Sequence, residues 1–462
     1  MRAVTPESIA LLSALLGLPA VLCAEDTEVA GRPHILLITA DDLGCQISCY
    51  GEKRYRTPQL DALAAQGLRF ENFYVGQSSC SSSRATLLTG RWPHQTGQIG
   101  LAHLGFRMRP GQKNLPALLK AAGYRTGIIG KLHVEPAAEF PWDWMSDKKM
   151  AALPTRDVKW VAEQSRAFFA SSRGSKQPFF CYVNYFDPHG PYTPDVDQVA
   201  GLPEKPLGPD SIAEPFPLKA PTDAGKKRVT STMANAIMRF DAGLGLLLDE
   251  LKASGMAENT LVVFLGDNGL PVVHGKTWSY EPGVRVPMII RGPGLGAGRI
   301  RRDLACEVDL MPTILRAAGV AVPAEVEGVP LQQEAAREFL FTEMNFHEPQ
   351  ILRVQRTVRD ARHKLMLNLT QDEGQSPVEM YDLEADPGET KNVADDVALG
   401  DARRRLENAL KAWREKTADP MLDAARLQRW KDAAARWGKL PRVKSTASSV
   451  VQIPDGELDL LK

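Results

Sequence analysis

The sequence predicts an α/β protein with a mixed, mostly parallel sheet between helices and a smaller C-terminal α+β domain with an antiparallel sheet. From His34 onward, short β-branched or aromatic runs alternate with helical patterns, as in parallel sheets that helices cover on both faces. After about Pro330 the runs become shorter and follow one another across turns, which favours antiparallel strands. A chain of 462 residues also exceeds the usual size of one core, so two domains are expected.

The predicted elements of the larger domain follow this alternation. A first buried strand is expected at residues 34–39, and a helix begins at Thr57, an N-cap followed by an N1 proline, and ends at Gly67. Apolar residues at helical spacing predict a long helix that passes through residues 237–251 and ends at Gly255. Later strands are expected at residues 127–130, 179–185, 261–265 and 286–291.

The smaller domain is expected to contain four short antiparallel strands, at residues 339–342, 356–358, 364–367 and 379–383. Helical spacing then continues through Leu399, Leu406, Leu410 and Trp413. Beyond Asp419 the chain is charged, and we expect a tail that wraps loosely on the surface. The proline-rich segment 191–224, in the larger domain, is expected to be an irregular surface insertion.

The N-terminus is typical of an export signal. Residues 9–22 form an apolar run that is too short to span a bilayer comfortably, and small residues end at Ala24. We therefore expect a signal peptide at residues 1–24, a larger domain at 25–330, and a C-terminal subdomain with its tail at 331–462. The protein is expected in the periplasm or secreted, and no other apolar stretch is long enough for a membrane span.

Charge and cysteine content disfavour several classes of protein. Lys plus Arg equals Asp plus Glu at 56 each, and no basic block stands out, so no binding to nucleic acid is expected. Of the six cysteines, Cys23 falls in the expected signal peptide, and those other than Cys23 and Cys80 form no obvious disulfide framework for so long a chain. Cys45 and Cys49 lack a second pair at zinc-site spacing, which disfavours a zinc ribbon.

Polar residues follow three of the predicted strands directly. In open α/β sheets, ligands bind beyond the carboxyl ends of the strands. Several carboxylates at one sheet edge repel one another unless a hard cation holds them, and oxygen ligands favour calcium or magnesium over zinc. Any one of these Asp residues could instead be a turn or capping residue. The three clusters are Asp41-Asp42, Asp187-Pro188-His189 and Asp267-Asn268-Gly269.

The segment 79–91 is polar at its start and compatible with a helix from Ser83 onward. A cysteine at position 80 would lie at a helix N-terminus, where backbone N–H groups and Arg84 stabilise negative charge. Spacing alone leaves open a second reading, in which capping serines stand beside a buried cysteine.

These segments, in their order, resemble the type I sulfatase family. Residues 80–84, Cys-Ser-Ser-Ser-Arg, followed by Leu88-Thr89-Gly90-Arg91, are similar to the family signature, in which the cysteine is oxidised to formylglycine. The resemblance runs from about residue 32 to about residue 413. The other matching segments are Asp41-Asp42, Gly130-Lys131-Leu132-His133, Asp187-Pro188-His189, Asp267-Asn268-Gly269, Gly275-Lys276 with residues 280–287, and, in the smaller domain, residues 381–389.

The resemblance implies an alkaline-phosphatase-like fold, a catalytic domain at residues 25–330, and a hydrolase of sulfuric esters or N-sulfates. It implies one calcium ion held by Asp41, Asp42, Asp267, Asn268 and the residue made from Cys80. Arg84 and Lys131 would steady the hydrated aldehyde, and Lys276 would hold a sulfate oxygen. His189 would protonate the leaving atom, and His133 would take a proton from the second hydroxyl. The implied partners are a sulfated sugar and a formylglycine-generating maturation enzyme.

Within the family, residues 123–134 and 178–183 look most like the heparan N-sulfatase group, which implies a sulfated sugar or glycosaminoglycan fragment as substrate. Two positions differ from the family pattern: Ser82 stands where proline or alanine is usual, and Gly266 where serine is frequent. For His274 a structural role is as consistent as a functional one. His347 is expected to border the pocket from the smaller domain.

Two other functions remain open. A phosphoesterase of the same fold would use a similar metal site and anion pocket, although such enzymes typically present Ser or Thr and bind two metals with extra histidines. A protein that binds sulfated sugars without turnover would result if Cys80 stayed unmodified.

Overall fold

The structure is a computed structural model, and it describes residues 31–146, 156–175, 177–192, 202–333, 337–348, 352–372, 374–437, 439–440, 443–444 and 449–450. The predicted signal peptide lies outside these residues. Among the described residues, no helix combines the length and the apolar character needed to cross a bilayer.

The larger domain alternates strands and helices, as the sequence predicts. The predicted strand at residues 286–291 begins later, at Met288. In order along the chain the elements are β1 (His34–Asp41), α1 (Pro58–Gln66), β2 (Leu68–Phe70), β3 (Phe73–Tyr74), α2 (Cys80–Thr89), α3 (Pro93–Thr96), α4 (Leu115–Ala121), β4 (Arg125–Ile129), β5 (Trp144–Met145), α5 (Val158–Arg173), β6 (Phe179–Pro188), α6 (Asp223–Ala253), β7 (Thr260–Gly266), α7 (Glu281–Val284), β8 (Met288–Arg291), β9 (Arg299–Arg301), β10 (Ala305–Cys306) and α8 (Leu310–Ala317).

Eight strands form one sheet in the order β5-β4-β6-β1-β7-β8-β2-β9. The strands from β5 to β7 run parallel, β8 is antiparallel to both of its neighbours, and β9 is parallel to β2. The sheet is therefore mixed and mostly parallel, which confirms the predicted fold class. Because β1 lies between β6 and β7, the carboxyl ends of three parallel strands meet at one edge.

Helices cover both faces of this sheet. Alternate residues of β1 point to opposite faces, so Ile35 and Leu37 pack in one cluster with α2, α4 and α8. Leu36 and Ile38 pack in the other cluster with α1, α5 and α6. Both faces are thus apolar, and the polar residues that follow the strands are left to gather at the sheet's edge.

The smaller domain is built on a four-stranded antiparallel sheet in the order β11-β12-β13-β14, as predicted. Its elements are β11 (Leu340–Phe346), β12 (Leu352–Arg359), β13 (His363–Asn368), β14 (Val378–Asp382), α9 (Gly400–Lys416), α10 (Ala424–Trp437), β15 (Val443–Lys444) and β16 (Ser449–Val450).

The prediction of a loose tail beyond Asp419 is wrong for the helix α10. Trp430 and Trp437 are at most 1 % exposed and pack against Phe346 and Phe106. The tail forms a helix because its apolar residues recur at helical spacing, and burying two tryptophans is strongly favourable.

The structure also tests the predictions for the proline-rich insertion and for the cysteines. Within residues 202–222 the insertion is irregular, as predicted, apart from one short 3₁₀ turn at Pro209–Ser211. The five described cysteines are all free, in agreement with the absence of a disulfide framework among them.

Candidate active site

Three aspartates gather at the carboxyl edge of the sheet because of parallel pairing. β1 ends at Asp41, Asp42 follows it, and Asp267 follows the neighbouring strand β7, whose Gly266 pairs with Ala40. The backbone N–H of Asp42 donates to Asp267 Oδ1 at 2.9 Å. All three carboxylates are at most 2 % exposed, so they face one another with little water.

Cys80 brings its thiol to these carboxylates from the first residue of α2. Its Sγ donates to Asp41 Oδ1 at 3.3 Å and lies 3.7 Å from Asp42 Oδ1. Each of four residues offers one atom that can bind a metal ion, and these four atoms lie within 4.8 Å of one another. The residues are Asp41, Asp42, Cys80 and His189. Cys80 is 1 % exposed, so its thiol is buried together with these carboxylates.

Three cations are paired with the three aspartates. Lys131 Nζ lies 2.6 Å from Asp41 Oδ2, and Lys276 Nζ lies 2.7 Å from Asp42 Oδ1. The Arg84 guanidinium lies 2.8 Å from Asp267 Oδ2. His189 Nε2 stands 3.8 Å from Asp42 Oδ2. The structure therefore brings the predicted catalytic residues Cys80, Arg84, Lys131, His189 and Lys276 into one pocket.

The charges of this pocket shift the pKa values of its acids. Burial alone would raise the pKa of Asp41, but Lys131 and the other cations hold it well below its usual range. Burial, together with the charge of Asp41, raises the pKa of Asp267 to about 7. Burial and Asp41 also raise the pKa of the Cys80 thiol well above its usual value. The unmodified thiol therefore stays protonated, which makes it a weak nucleophile.

The donor set fits a hard divalent cation. Asn268 Nδ2 donates to Asp42 Oδ1 at 2.9 Å, and Asn268 Oδ1 is buried without a hydrogen-bond partner in the described part of the chain. An unpaired buried carbonyl oxygen beside three carboxylates is suited to calcium or magnesium. The predicted ligands Asp41, Asp42, Asp267 and Asn268 thus lie together beside residue 80.

His133, two residues after Lys131, forms a pair with another histidine. His133 Nε2 and His103 Nδ1 are 2.9 Å apart, and the two rings stack. Burial and the nearby Lys131 hold the pKa of His133 well below its usual value, so its ring is neutral. Its Nδ1 is buried and, within the described residues, has no partner. No motif marked His103, which lies in the short 3₁₀ helix Ala102–Leu104.

His347 reaches the same pocket from the smaller domain. Its Nδ1 lies 3.0 Å from Ser79 Oγ, directly before Cys80. Burial and then the charges of Lys276 and His189 hold the pKa of His347 well below its usual value. The location agrees with the expectation that it borders the pocket.

Asp187 and His274 have structural surroundings. Asp187 is ion-paired with Arg239 at 2.6 Å and with Arg156 at 3.6 Å, so it faces arginines and not the cluster of aspartates. Arg156 in turn donates to the backbone oxygen of His189 at 2.8 Å, which holds that residue in place. His274 stacks on Tyr280 with ring centres 4.0 Å apart, which favours its structural reading.

No sequence motif marks the residues that hold Arg84. Its Nη1 donates to the hydroxyl of Tyr182 at 3.3 Å and to the side-chain oxygen of Asn184, both on β6. A polar Asn184 inside a strand whose other residues are buried and mostly apolar was the available signal, because a buried amide needs a partner.

The structure shows the surroundings of Gly266 and Ser82, the two residues that differ from the family pattern. A Cβ at Gly266 would lie 1.9 Å from the backbone oxygen of Leu43, so this chain has no room for a serine there. Ser82 is fully buried, and its hydroxyl has no hydrogen-bond partner within the described residues.

Comparisons with known proteins agree with this geometry. A family model described as Sulfatase matches residues 33–320, and one described as N-sulphoglucosamine sulphohydrolase, C-terminal, matches residues 271–416. The chain is 30% identical to human N-sulphoglucosamine sulphohydrolase over 465 residues, which covers 85% of this chain and 92% of the human protein.

Two solved structures share the fold. One holds its substrate D-glucosamine-2-N,6-O-disulfate, with a TM-score of 0.66, 21% identity, and coverage of 84% of this chain and 98% of that one. The other is the phosphonate monoester hydrolase of Silicibacter pomeroyi, with a TM-score of 0.68, 22% identity, and coverage of 84% and 96%. At these identities the likeness extends to the fold alone.

Proposed function

Because this chain belongs to the sulfatase family, we propose that it hydrolyses a sulfate ester or N-sulfate of a sulfated sugar or glycosaminoglycan fragment. It does so with a formylglycine made from Cys80 and one bound calcium ion. The observation that carries the proposal is the position of the Cys80 thiol, 3.3 Å and 3.7 Å from two aspartates, in a pocket that also holds three cations.

The charge balance of the pocket supports this chemistry. Three carboxylates face three cations, so a divalent ion would add two positive charges, which would favour the monoanionic sulfate ester or N-sulfate of the substrate and the sulfate dianion that is released. Asp41, Asp42, Asp267 and Asn268 would hold the ion, which supplies electrostatic stabilisation to the sulfate oxygens. Formylglycine supplies, through its hydrated aldehyde, the hydroxyl that attacks sulfur.

The protein's own residues position the substrate and move protons. Lys276 Nζ is now paired with Asp42, and Lys131 Nζ with Asp41. With a cation at these carboxylates, Lys276 would turn to a sulfate oxygen, and Lys131 would steady the hydrated aldehyde. His189 Nε2 faces the same space and protonates the departing oxygen or nitrogen. His133 accepts a proton at its unpartnered Nδ1, because its depressed pKa keeps the ring neutral.

Among sulfated sugars, N-sulfoglucosamine is the substrate that we favour. The second family model spans residues 271–416, which include Lys276 and the sheet that carries His347. The human relative carries the name of a hydrolase of N-sulfoglucosamine. Lys276 and His347, which border the pocket from the two domains, therefore both lie in the segment that matches the second family model.

A substrate panel tests the proposal. The purified protein, matured in a host that makes formylglycine, is given N-sulfoglucosamine, glucosamine 6-O-sulfate and glucosamine 6-phosphate, with calcium and with a chelator. We expect calcium-dependent release of sulfate, fastest from N-sulfoglucosamine. Release from the O-sulfated sugar alone would contradict the N-sulfate assignment, and release of phosphate alone would contradict a sulfatase.

Two alternatives have particular observations in their favour. The fold is shared with a phosphonate monoester hydrolase, so phosphorus esters belong in the panel. Ser82, at the position where the family usually has proline or alanine, favours a protein that binds sulfated sugars with an unmodified Cys80. Binding of N-sulfoglucosamine without sulfate release, together with an intact thiol at residue 80, would establish the second alternative.

Maturation and export complete the proposal. Cys80 is 1 % exposed in the folded chain, so a formylglycine-generating enzyme would act before folding buries it. The apolar run at residues 9–22 supports export to the periplasm or secretion. Cell fractionation with an antibody against the mature domain tests this, and protein that stays in the cytoplasm at full length would contradict it.

A further inference from the structure

The loop that places Lys276 beside Asp42 has an unusual backbone conformation at Thr277, the residue after Lys276. Thr277 has a φ of 74°, in the left-handed region that a β-branched side chain rarely adopts. His274, three residues earlier, has a φ of 57°. Such conformations persist only where surrounding contacts hold them, and they cluster at functional sites.

Arg353, on β12 of the smaller domain, supplies contacts of this kind. Its Nη1 donates to the backbone oxygen of Thr277 at 3.0 Å and lies 3.3 Å from Thr277 Oγ1. Its Nη2 pairs with Asp372 at 2.7 Å, and its guanidinium carbon lies 3.1 Å from the ring centre of Trp278. The guanidinium is thus fixed on three sides, and the side chain is 13% exposed.

On its other side, the loop is tied to the segment before α2. The N–H of Thr277 donates to the backbone oxygen of Ser78 at 3.0 Å. The N–H of Lys276 donates to the backbone oxygen of Leu270 at 2.9 Å, and a Cβ on Gly275 would lie 2.0 Å from that oxygen. Because the loop is packed so closely, a change in the backbone conformation of Thr277 would also move Lys276.

We propose that Arg353 is a positioning residue of the active site, which holds Thr277 in its left-handed conformation and thereby aims Lys276 Nζ at the sulfate. The inference rests on the proposed role of Lys276 in holding sulfate. It gives the smaller domain an indirect part in binding the anion, through a side chain that does not itself touch the substrate. The contact between Lys276 and Asp42 at 2.7 Å depends on the same loop conformation.

Four variants test the proposal: Arg353→Ala, Arg353→Lys, Thr277→Gly, and the double variant Arg353→Ala with Thr277→Gly. Glycine adopts positive φ readily, so it needs no arginine to hold the loop. Arg362→Ala is the matched control, because Arg362 lies in the turn between β12 and β13 of the same sheet, is ion-paired with Asp382, and is far more exposed. Binding of inorganic sulfate to the calcium-loaded protein is measured by titration calorimetry, and backbone exchange of residues 270–280 by hydrogen–deuterium exchange.

Arg353→Ala is expected to weaken sulfate binding about ten- to hundredfold and to speed exchange of the loop, while the thermal unfolding temperature changes little. Arg353→Lys should recover part of the affinity, and the double variant should recover most of it. Equal sulfate affinity in the wild type and Arg353→Ala would overturn the proposal. A double variant as impaired as Arg353→Ala would overturn the account based on strain.

The outcome is separable from that of the proposed function. A wild-type protein that hydrolyses no member of the substrate panel would contradict the sulfatase proposal. Exchange of the loop and calorimetry with inorganic sulfate need no turnover, so they would still decide whether Arg353 positions Lys276.

Discussion

At the scale of single residues, the candidate active site consists of charged side chains that are paired with one another. Lys131 and Lys276 neutralise Asp41 and Asp42 at 2.6 Å and 2.7 Å. If Lys276 turned to a sulfate and Lys131 to the hydrated aldehyde, two buried carboxylates would be left unpaired, at a large cost in free energy. A cation at the aspartates removes this cost, so cation binding and sulfate binding are expected to strengthen each other.

The His189→Ala variant tests whether His189 donates a proton to the leaving atom of the substrate. Its replacement in His189→Ala should lower kcat about 100- to 1000-fold on N-sulfoglucosamine, whose leaving nitrogen needs a proton. The loss should be less than about tenfold on 4-nitrophenyl sulfate, whose leaving phenolate is stable without one. Steady-state kinetics on both substrates give the two losses. His34→Ala, which removes a ring stacked on Phe179 at the opposite end of β1 from Asp41, is the control. Equal losses on both substrates in His189→Ala would contradict the role of His189.

At the scale of elements, the sequence predicts those parts of the site that follow strands and misses those that depend on distant contacts. Asp41, Asp267 and Cys80 could be predicted because each lies directly beside a regular element. The contacts of Arg353 with Thr277 and of His103 with His133 join residues 76 and 30 positions apart, so no local pattern signals them.

The prediction for the segment that forms helix α10 was wrong for a different reason. Its tryptophans are seven residues apart, at helical spacing, but the charged residues around them favoured a solvated tail. Trp430 belongs to the apolar cluster that also contains Cys80 and Phe346, so this tail supports the start of α2. The periodicity was therefore a better guide than the composition.

Replacement of Trp430 tests whether this helix contributes to stability. Trp430→Ala should lower the free energy of unfolding by about 3–5 kcal/mol, because it removes a large buried ring and leaves a cavity. Arg429→Ala, at the exposed neighbouring position on α10, should change it by less than about 0.5 kcal/mol. Urea unfolding monitored by circular dichroism gives both values, and a similar small change in both variants would contradict the packing seen for α10.

At the scale of the whole molecule, buried ion pairs join the two domains. Glu281, on α7 of the larger domain, lies 3.2 Å from Lys364 and 3.5 Å from Arg359, both on the smaller domain's sheet. Tyr74 donates to the same carboxylate at 2.7 Å. Burial alone would raise the pKa of Glu281, but Lys364 and Arg359 lower it to about 2.

This shift predicts acid sensitivity of the folded protein. The native pKa of about 2 is below the ordinary value of 4.5, so the native state binds fewer protons, and stability is lost as pH falls from 4.5 towards 2. Glu281→Gln should be less stable than the wild type at neutral pH and should lose about 2 kcal/mol less stability between about pH 5 and pH 3. Urea unfolding at several pH values measures this. Glu384→Gln, a change at an exposed carboxylate, is the control, and identical pH slopes in Glu281→Gln and the wild type would refute the coupling.

The chemical state of residue 80 tests the central claim most directly. Mass spectrometry of the tryptic peptide of residues 70–84, from protein made in its native host, distinguishes cysteine from formylglycine. We expect a peptide about 18 Da lighter than the unmodified one, because the aldehyde oxygen replaces the thiol. A peptide that carries only unmodified cysteine would contradict a formylglycine-dependent sulfatase.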